Sequence, residues 1–103
     1  MIPQEEISIK INQKDWKIKI VNSMDLSSTT CGECDDPKYK NPQIWIKRSL
    51  KPIDLMDTII HEVLHAIRPE LSEEAVMETG TTIAKVLWKL NYRKIPRVKK
   101  LKN

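Results

Sequence analysis

Residues 58–67 read "TIIHEVLHAI". This apolar stretch holds His61 and His65, the chain's only two histidines, with Glu62 beside the first. A spacing of four residues puts two side chains on one face of a helix, one turn apart, where both imidazoles can meet a single ion. Glu62 lies about 100° around from His61. That is too far to complete the same ligand pair, but within reach of a water held between them. With His61 as origin, Asp57, Thr58, His61, Glu62 and His65 fall in a sector of about 140°. Leu55, Met56, Ile59, Ile60, Val63, Leu64, Ala66 and Ile67 fill the rest. Such a helix is expected to be buried, with one polar stripe that metal, water or hydrogen bonds must satisfy.

The surrounding sequence gives this helix a setting. "ISIKI" (7–11) and "WKIKIV" (16–21) alternate apolar and polar residues around "NQKD", the pattern of a β-hairpin. Residues 22–43 are rich in Ser, Thr, Asp, Gly and Pro and read as a long loop. "QIWIKR" (43–48) alternates again and reads as a third strand. Asp54 is placed to cap the helix start, and Pro69 ends it. Ser72 is a good N-cap for a second helix, with Glu73 and Glu74 in its first turn, running to about Asn91. The order of elements implies an α+β domain: a small, mostly antiparallel, three-stranded sheet with the two helices on one face. The expected division is one domain over 1–92 and a basic C-terminal tail over 93–103.

The chain has 103 residues, of which 40% are hydrophobic and 31% charged, and no phenylalanine. This suits one small domain with a core of Ile, Leu, Val, Met and Trp. No apolar run approaches the ~20 residues of a membrane span. No basic segment followed by an apolar one marks a secretory signal, so a cytoplasmic location without membrane association is expected. Net charge is +4, unevenly spread. Residues 89–103, "KLNYRKIPRVKKLKN", hold seven Lys or Arg and no acid, while the rest is mildly acidic. A weak nucleic-acid contact through the tail 93–103 is one consequence. Cys31 and Cys34, in "CGEC", cannot close a four-ligand zinc site by themselves, and the loop-like residues after them do not suit a thioredoxin motif.

A catalytic zinc has three protein ligands and one open position. With no third histidine, the candidates are Asp57, Glu70, Glu73, Glu74, Glu78 and the two cysteines. On the second helix the apolar stripe reads Val76, Gly80, Ile83, Leu87 and Leu90. Glu73 heads that stripe, Glu74 is intermediate, and Glu78 shares a face with Lys85 and Lys89. The phase favours Glu73 as third ligand, with Glu74 next.

"DTIIHEVLHAI" followed by "LSEEAVMETGTTIAKVL" resembles the small zincin-like metallopeptidases of bacteriophage and bacteria, related to the SprT-like and ImmA/IrrE-type groups. The likeness covers roughly residues 30–90. In the ImmA/IrrE type the third ligand is a glutamate on the next helix, and Glu73 best matches that place. SprT-like proteins use a histidine there, which this chain lacks. The resemblance implies hydrolysis of a peptide or protein substrate at Zn²⁺ held by His61, His65 and Glu73, with Glu62 as general base. Two other expectations are a zinc-binding interaction protein of little or no activity, and a nucleic-acid-associated protein.

Overall fold

The computed structural model describes residues 5–22 and 30–95. Four strands and two helices follow one another: β1 (Glu5–Ile11), β2 (Lys14–Val21), β3 (Gly32–Cys34), β4 (Gln43–Lys47), α1 (Pro52–Ile67) and α2 (Glu73–Lys89). The class is α+β, as the alternation of apolar residues suggests. The sheet, however, has four strands in the order β1-β2-β4-β3, and it is mixed. β1 and β2 form an antiparallel hairpin, β4 lies parallel to β2, and β3 returns antiparallel to β4. This corrects the mostly antiparallel three-stranded sheet. The segment between β2 and β4 is long enough for the crossover a parallel pair requires, and it contains the extra strand. β3 is only three residues long, too short for alternation to reveal it. β4 is therefore an interior strand, and the edge beside α1 is β3, which carries Gly32 and Cys34.

The hairpin turn is the dipeptide Asn12–Gln13, both residues in the left-handed region at φ 50° and 69°. Two positive φ values match the right-handed twist of the flanking strands. The Asn12 side chain donates to the carbonyl of Ile67 at 2.9 Å, tying the turn to the C-terminal end of α1. Trp16, Ile18 and Ile20 of β2 and Ile44 and Ile46 of β4 form the buried floor of the core. Leu55, Ile59, Val63 and Ala66 of α1 pack against it. This helix lies over the β4–β3 half of the sheet. The inward positions of β1, Ile7 and Ile9, are consequently left 53% and 46% exposed.

α1 starts one residue after Lys51, with Pro52 in its first turn. Proline there lacks only an N–H that would have no helical partner. Asp54 lies inside the first turn and does not cap it. Only Glu62 and Ala66 of α1 are buried, and its other apolar residues are mostly half-buried. The sheet and α2 cover two of its sides, and among the described residues no other element packs on the third. α2 begins at Ser72, whose Oγ accepts from the Ala75 N–H at 3.1 Å. It ends with Asn91 in the left-handed region, with Asn91 N–H donating to Trp88 O and Tyr92 N–H to Leu87 O. That pair of bonds closes a helix C-terminus and suits asparagine.

α2 packs on α1 through Val76, Gly80 and Ala84. Ile83 and Leu90, expected on this stripe, are 40% and 63% exposed. Small residues rather than large ones form the contact, because the helices run close together. Beyond α2, the Arg93 guanidinium lies 3.3 Å over the Trp88 ring, and Lys94 pairs with Glu5 of β1 at 2.8 Å. The start of the basic segment is thereby tied to the body. Residues 96–103 of the expected tail lie outside the described residues. Among the described residues no helix is long and apolar enough to cross a membrane.

Gln13 gives one test of this fold. A non-glycine residue in the left-handed region costs about 1–2 kcal/mol, part of which glycine returns as backbone entropy. Gln13→Gly is expected to stabilise the chain by about 0.5–1 kcal/mol in urea unfolding. Unchanged or lower stability would mean that the turn adopts another conformation.

Candidate metal centre

The two histidines come together as their spacing requires. His61 Nε2 and His65 Nε2 are 3.1 Å apart, their rings edge-on at 73° with centroids 4.8 Å apart. The Glu73 carboxylate closes the triangle, with Oε1 2.7 Å from His61 Nε2 and Oε2 3.0 Å from His65 Nε2. Both histidines are half-buried, whereas the Glu73 side chain is 63% exposed and reaches them from the solvent side. All three groups offer lone pairs to one small volume, and together they could hold a metal ion. Bonds of ~2.0–2.1 Å to a tetrahedral ion place ligand atoms about 3.3 Å apart. The observed triangle need open by only a few tenths of an ångström to meet this spacing.

Glu73 owes its position to how α2 is seated. Ser72 fixes the first turn, so the phase of Glu73 is set by its own N-cap. Gly80 lies two turns further along the same face. A Cβ built on Gly80 would sit 3.6 Å from the His61 backbone and from Ile60 Cγ2, so α2 runs against α1 at the level of the first histidine. One residue on, the Thr81 hydroxyl donates to Asp57, 3.1 Å from one carboxylate oxygen and 3.3 Å from the other. This bond joins the helices one turn before His61 and fixes their register.

The other third-ligand candidates are placed elsewhere. Asp57 is engaged by Thr81 and stands outside the triangle. Glu70 is exposed and paired with Arg68. Glu74 and Glu78 are exposed and do not join the triangle. Cys34 packs against the core, where burial, with Glu62 and Asp35 nearby, pushes its thiol up to about 12. Cys31 is exposed.

Glu62 is the one buried charged residue among those described. Burial raises its carboxyl above the ordinary range; His61 and His65 oppose this, while Glu73 and Glu33 add to it. Its neighbour on the sheet side is Gly32. A Cβ at Gly32 would meet Thr58 Cγ2 at 2.8 Å, and Glu62 Cγ and the Trp45 carbonyl at 3.1 Å. Only glycine lets the edge strand come this close to the helix beside Glu62. Sequence reasoning missed Gly32 and the Asp57–Thr81 bond, since neither signals itself by spacing. The glycine inside "CGEC" was the one visible sign.

Comparison with known protein families, curated proteins and solved structures found no match.

Two measurements check this geometry. Glu73→Ala is expected to weaken binding of a divalent probe such as Co²⁺ by about 100-fold or more, and Glu78→Ala by less than about twofold, in competition with a chelating dye. Equal affinities would place the third ligand outside α2. At pH 8 an iodoacetamide label is expected on Cys31 of the native chain, with Cys34 modified only after unfolding, because reaction needs the thiolate. Equal labelling of both cysteines in the native chain would contradict the burial of Cys34.

Proposed function

We propose that the chain is a zinc-dependent metallopeptidase. The reading rests on one observation: two imidazoles and a carboxylate converge, with a buried carboxylate next along the same helix. Two histidines and a glutamate form a borderline-soft donor set with room for a fourth position, which suits Zn²⁺ better than the all-oxygen cations. When bound there, zinc supplies Lewis acidity, which lowers the pKa of water toward ~7 and polarises a carbonyl.

The chain's own groups do the rest. His61, His65 and Glu73 orient the site, and the single carboxylate leaves part of a dication's charge uncompensated for chemistry. Glu62 takes the proton from the attacking water and passes it to the leaving amine. Its place beside the histidines, next along the same helix, suits that exchange. A substrate peptide lies extended along the outer edge of β3 and adds to the sheet by main-chain hydrogen bonds, as peptides do at exposed sheet edges. Gly32 keeps that edge close to Glu62, so the strand that holds the peptide and the base that serves it move together.

The test compares the parent chain with Glu62→Gln. The variant is expected to keep its zinc, at one ion per chain by elemental analysis. It is expected to lose about 10²–10⁴-fold in hydrolysis of a quenched fluorescent peptide library. A His61→Ala, His65→Ala double variant is expected to lose both. Zinc retained by the double variant, or full activity in Glu62→Gln, would overturn the reading.

A further inference from the structure

The other rim of the sheet is β1, which among the described residues pairs with β2 alone. It runs seven residues, "EEISIKI", with no proline, glycine or positive φ. Edge strands are commonly protected by a bulge, a proline or an inward-pointing charge; on β1 the one inward charge, Glu5, stands at its first residue, paired with Lys94. At the centre of β1 the inward positions are Ile7 and Ile9, opposite Ile18 and Trp16 and both about half exposed. The outward positions are Glu6, Ser8 and Lys10. The two charged ones have partners on β2: Lys10 is 3.0 Å from Asp15, and Glu6 is 3.5 Å from Lys17.

This order is complementary to itself when reversed. Placed antiparallel to a second copy with Ser8 on the two-fold axis, Ile7 meets Ile9, Ser8 meets Ser8 and Glu6 meets Lys10. Ile7 and Ile9 then face one another on the inner face, where Glu5 comes opposite Ile11 at either end, and opposite charges face each other on the outer. The outer face acquires a row of alternating sign, running from Asp15 and Lys10 to Glu6 and Lys17 of the second copy. Sliding the strands by two residues in either direction loses both charge pairs. Sliding by one sets Ile7 against Ser8 and mixes the faces. This register alone pairs both charges while keeping the two faces matched.

We propose that the chain forms a two-fold symmetric dimer by antiparallel pairing of β1 with β1 of a second copy, making one continuous eight-stranded sheet. The pairing satisfies the free main-chain groups of the rim and covers Ile7 and Ile9 with their counterparts. The occupant is a second copy because the charge order of β1 fits its own reverse. An unrelated strand would have no reason to supply Lys, Ile, Ser, Ile and Glu in that sequence. The metal centre lies at the opposite end of the strand order, beside β3, so dimerisation leaves it open.

Sedimentation equilibrium of the full chain at roughly 100 µM is expected to give twice the 12.0 kDa chain mass. Lys10→Glu sets like charges opposite each other at both ends of the paired strands and is expected to shift the mass to monomer. Glu6→Lys combined with Lys10→Glu restores the complementarity and is expected to restore the dimer. Cross-linking gives a separate readout. In a Cys31→Ser background, Ser8→Cys faces its own copy at about 4.5–5.5 Å, within disulfide reach. It is expected to cross-link under mild oxidation at least tenfold faster than Glu6→Cys, whose counterpart is Lys10. A monomer at that concentration, a dimer indifferent to Lys10→Glu, or equal cross-linking at positions 6 and 8 would overturn the proposal.

Discussion

The contact on which the rest of the site depends is the close approach of α2 to α1 at Gly80. Val76, Gly80 and Ala84 present little side chain, so the second helix comes down against the backbone of the first beside His61. Two turns before Gly80, that approach delivers the Glu73 carboxylate to both imidazoles. A methyl at 80 would meet α1 in ordinary contact at 3.6 Å, but a side chain larger than alanine's would lift α2 from α1 and withdraw Glu73, leaving both histidines in place. The Asp57–Thr81 bond acts in the other direction, resisting rotation of one helix on the other. Distance and register are thus fixed by different residues, and neither touches the ligand triangle.

α1 has a polar side because its two neighbours divide it. The sheet takes Leu55, Ile59, Val63 and Ala66; α2 takes the side marked by Asp57, Ile60 and His61. Glu62 falls on the sheet side of the histidines and is buried, with its carboxyl raised by that burial. An isolated buried carboxylate is costly when charged. Here the neighbouring imidazoles offset part of the cost, and a cation between them would offset more. Burial of Glu62 and the convergence of the ligands therefore support one another physically.

Much of this was legible in the chain. The hairpin and β4 show as alternation, and both helices show as apolar runs with identifiable ends. His61 and His65 are fixed on one face by a four-residue spacing that tolerates no other arrangement in a helix. Glu73 is legible as the head of the apolar stripe on α2, and its carboxylate lies beside both imidazoles. What escaped reading has common causes. β3 spans three residues, less than one repeat of any useful pattern, and its pairing with β4 turns on tertiary contacts. The parallel register of β4 on β2 is likewise a property of the crossover. The stripe on α2 was misjudged at Ile83 and Leu90, because apolarity marks what could be buried, whereas close helix contact selects what is small. Ala84 carried that signal too faintly to outweigh two larger residues.

The length of α2 separates two electrostatic regimes. Glu73 stands at its first residue and Lys89 at its last, 17 residues along, a span of roughly 24 Å. Arg93 and Lys94 follow at the far end, one stacked on Trp88 and the other paired with Glu5. At physiological salt the Debye length is about 8 Å, so Lys89 is some three screening lengths from Glu73. The acidic first turn, which could hold a metal ion together with the histidines, and Lys89 therefore scarcely sense each other's charge. An anion held at Lys89 would leave the field at Glu73 unchanged. In electrostatic terms, one short helix carries two independent surfaces.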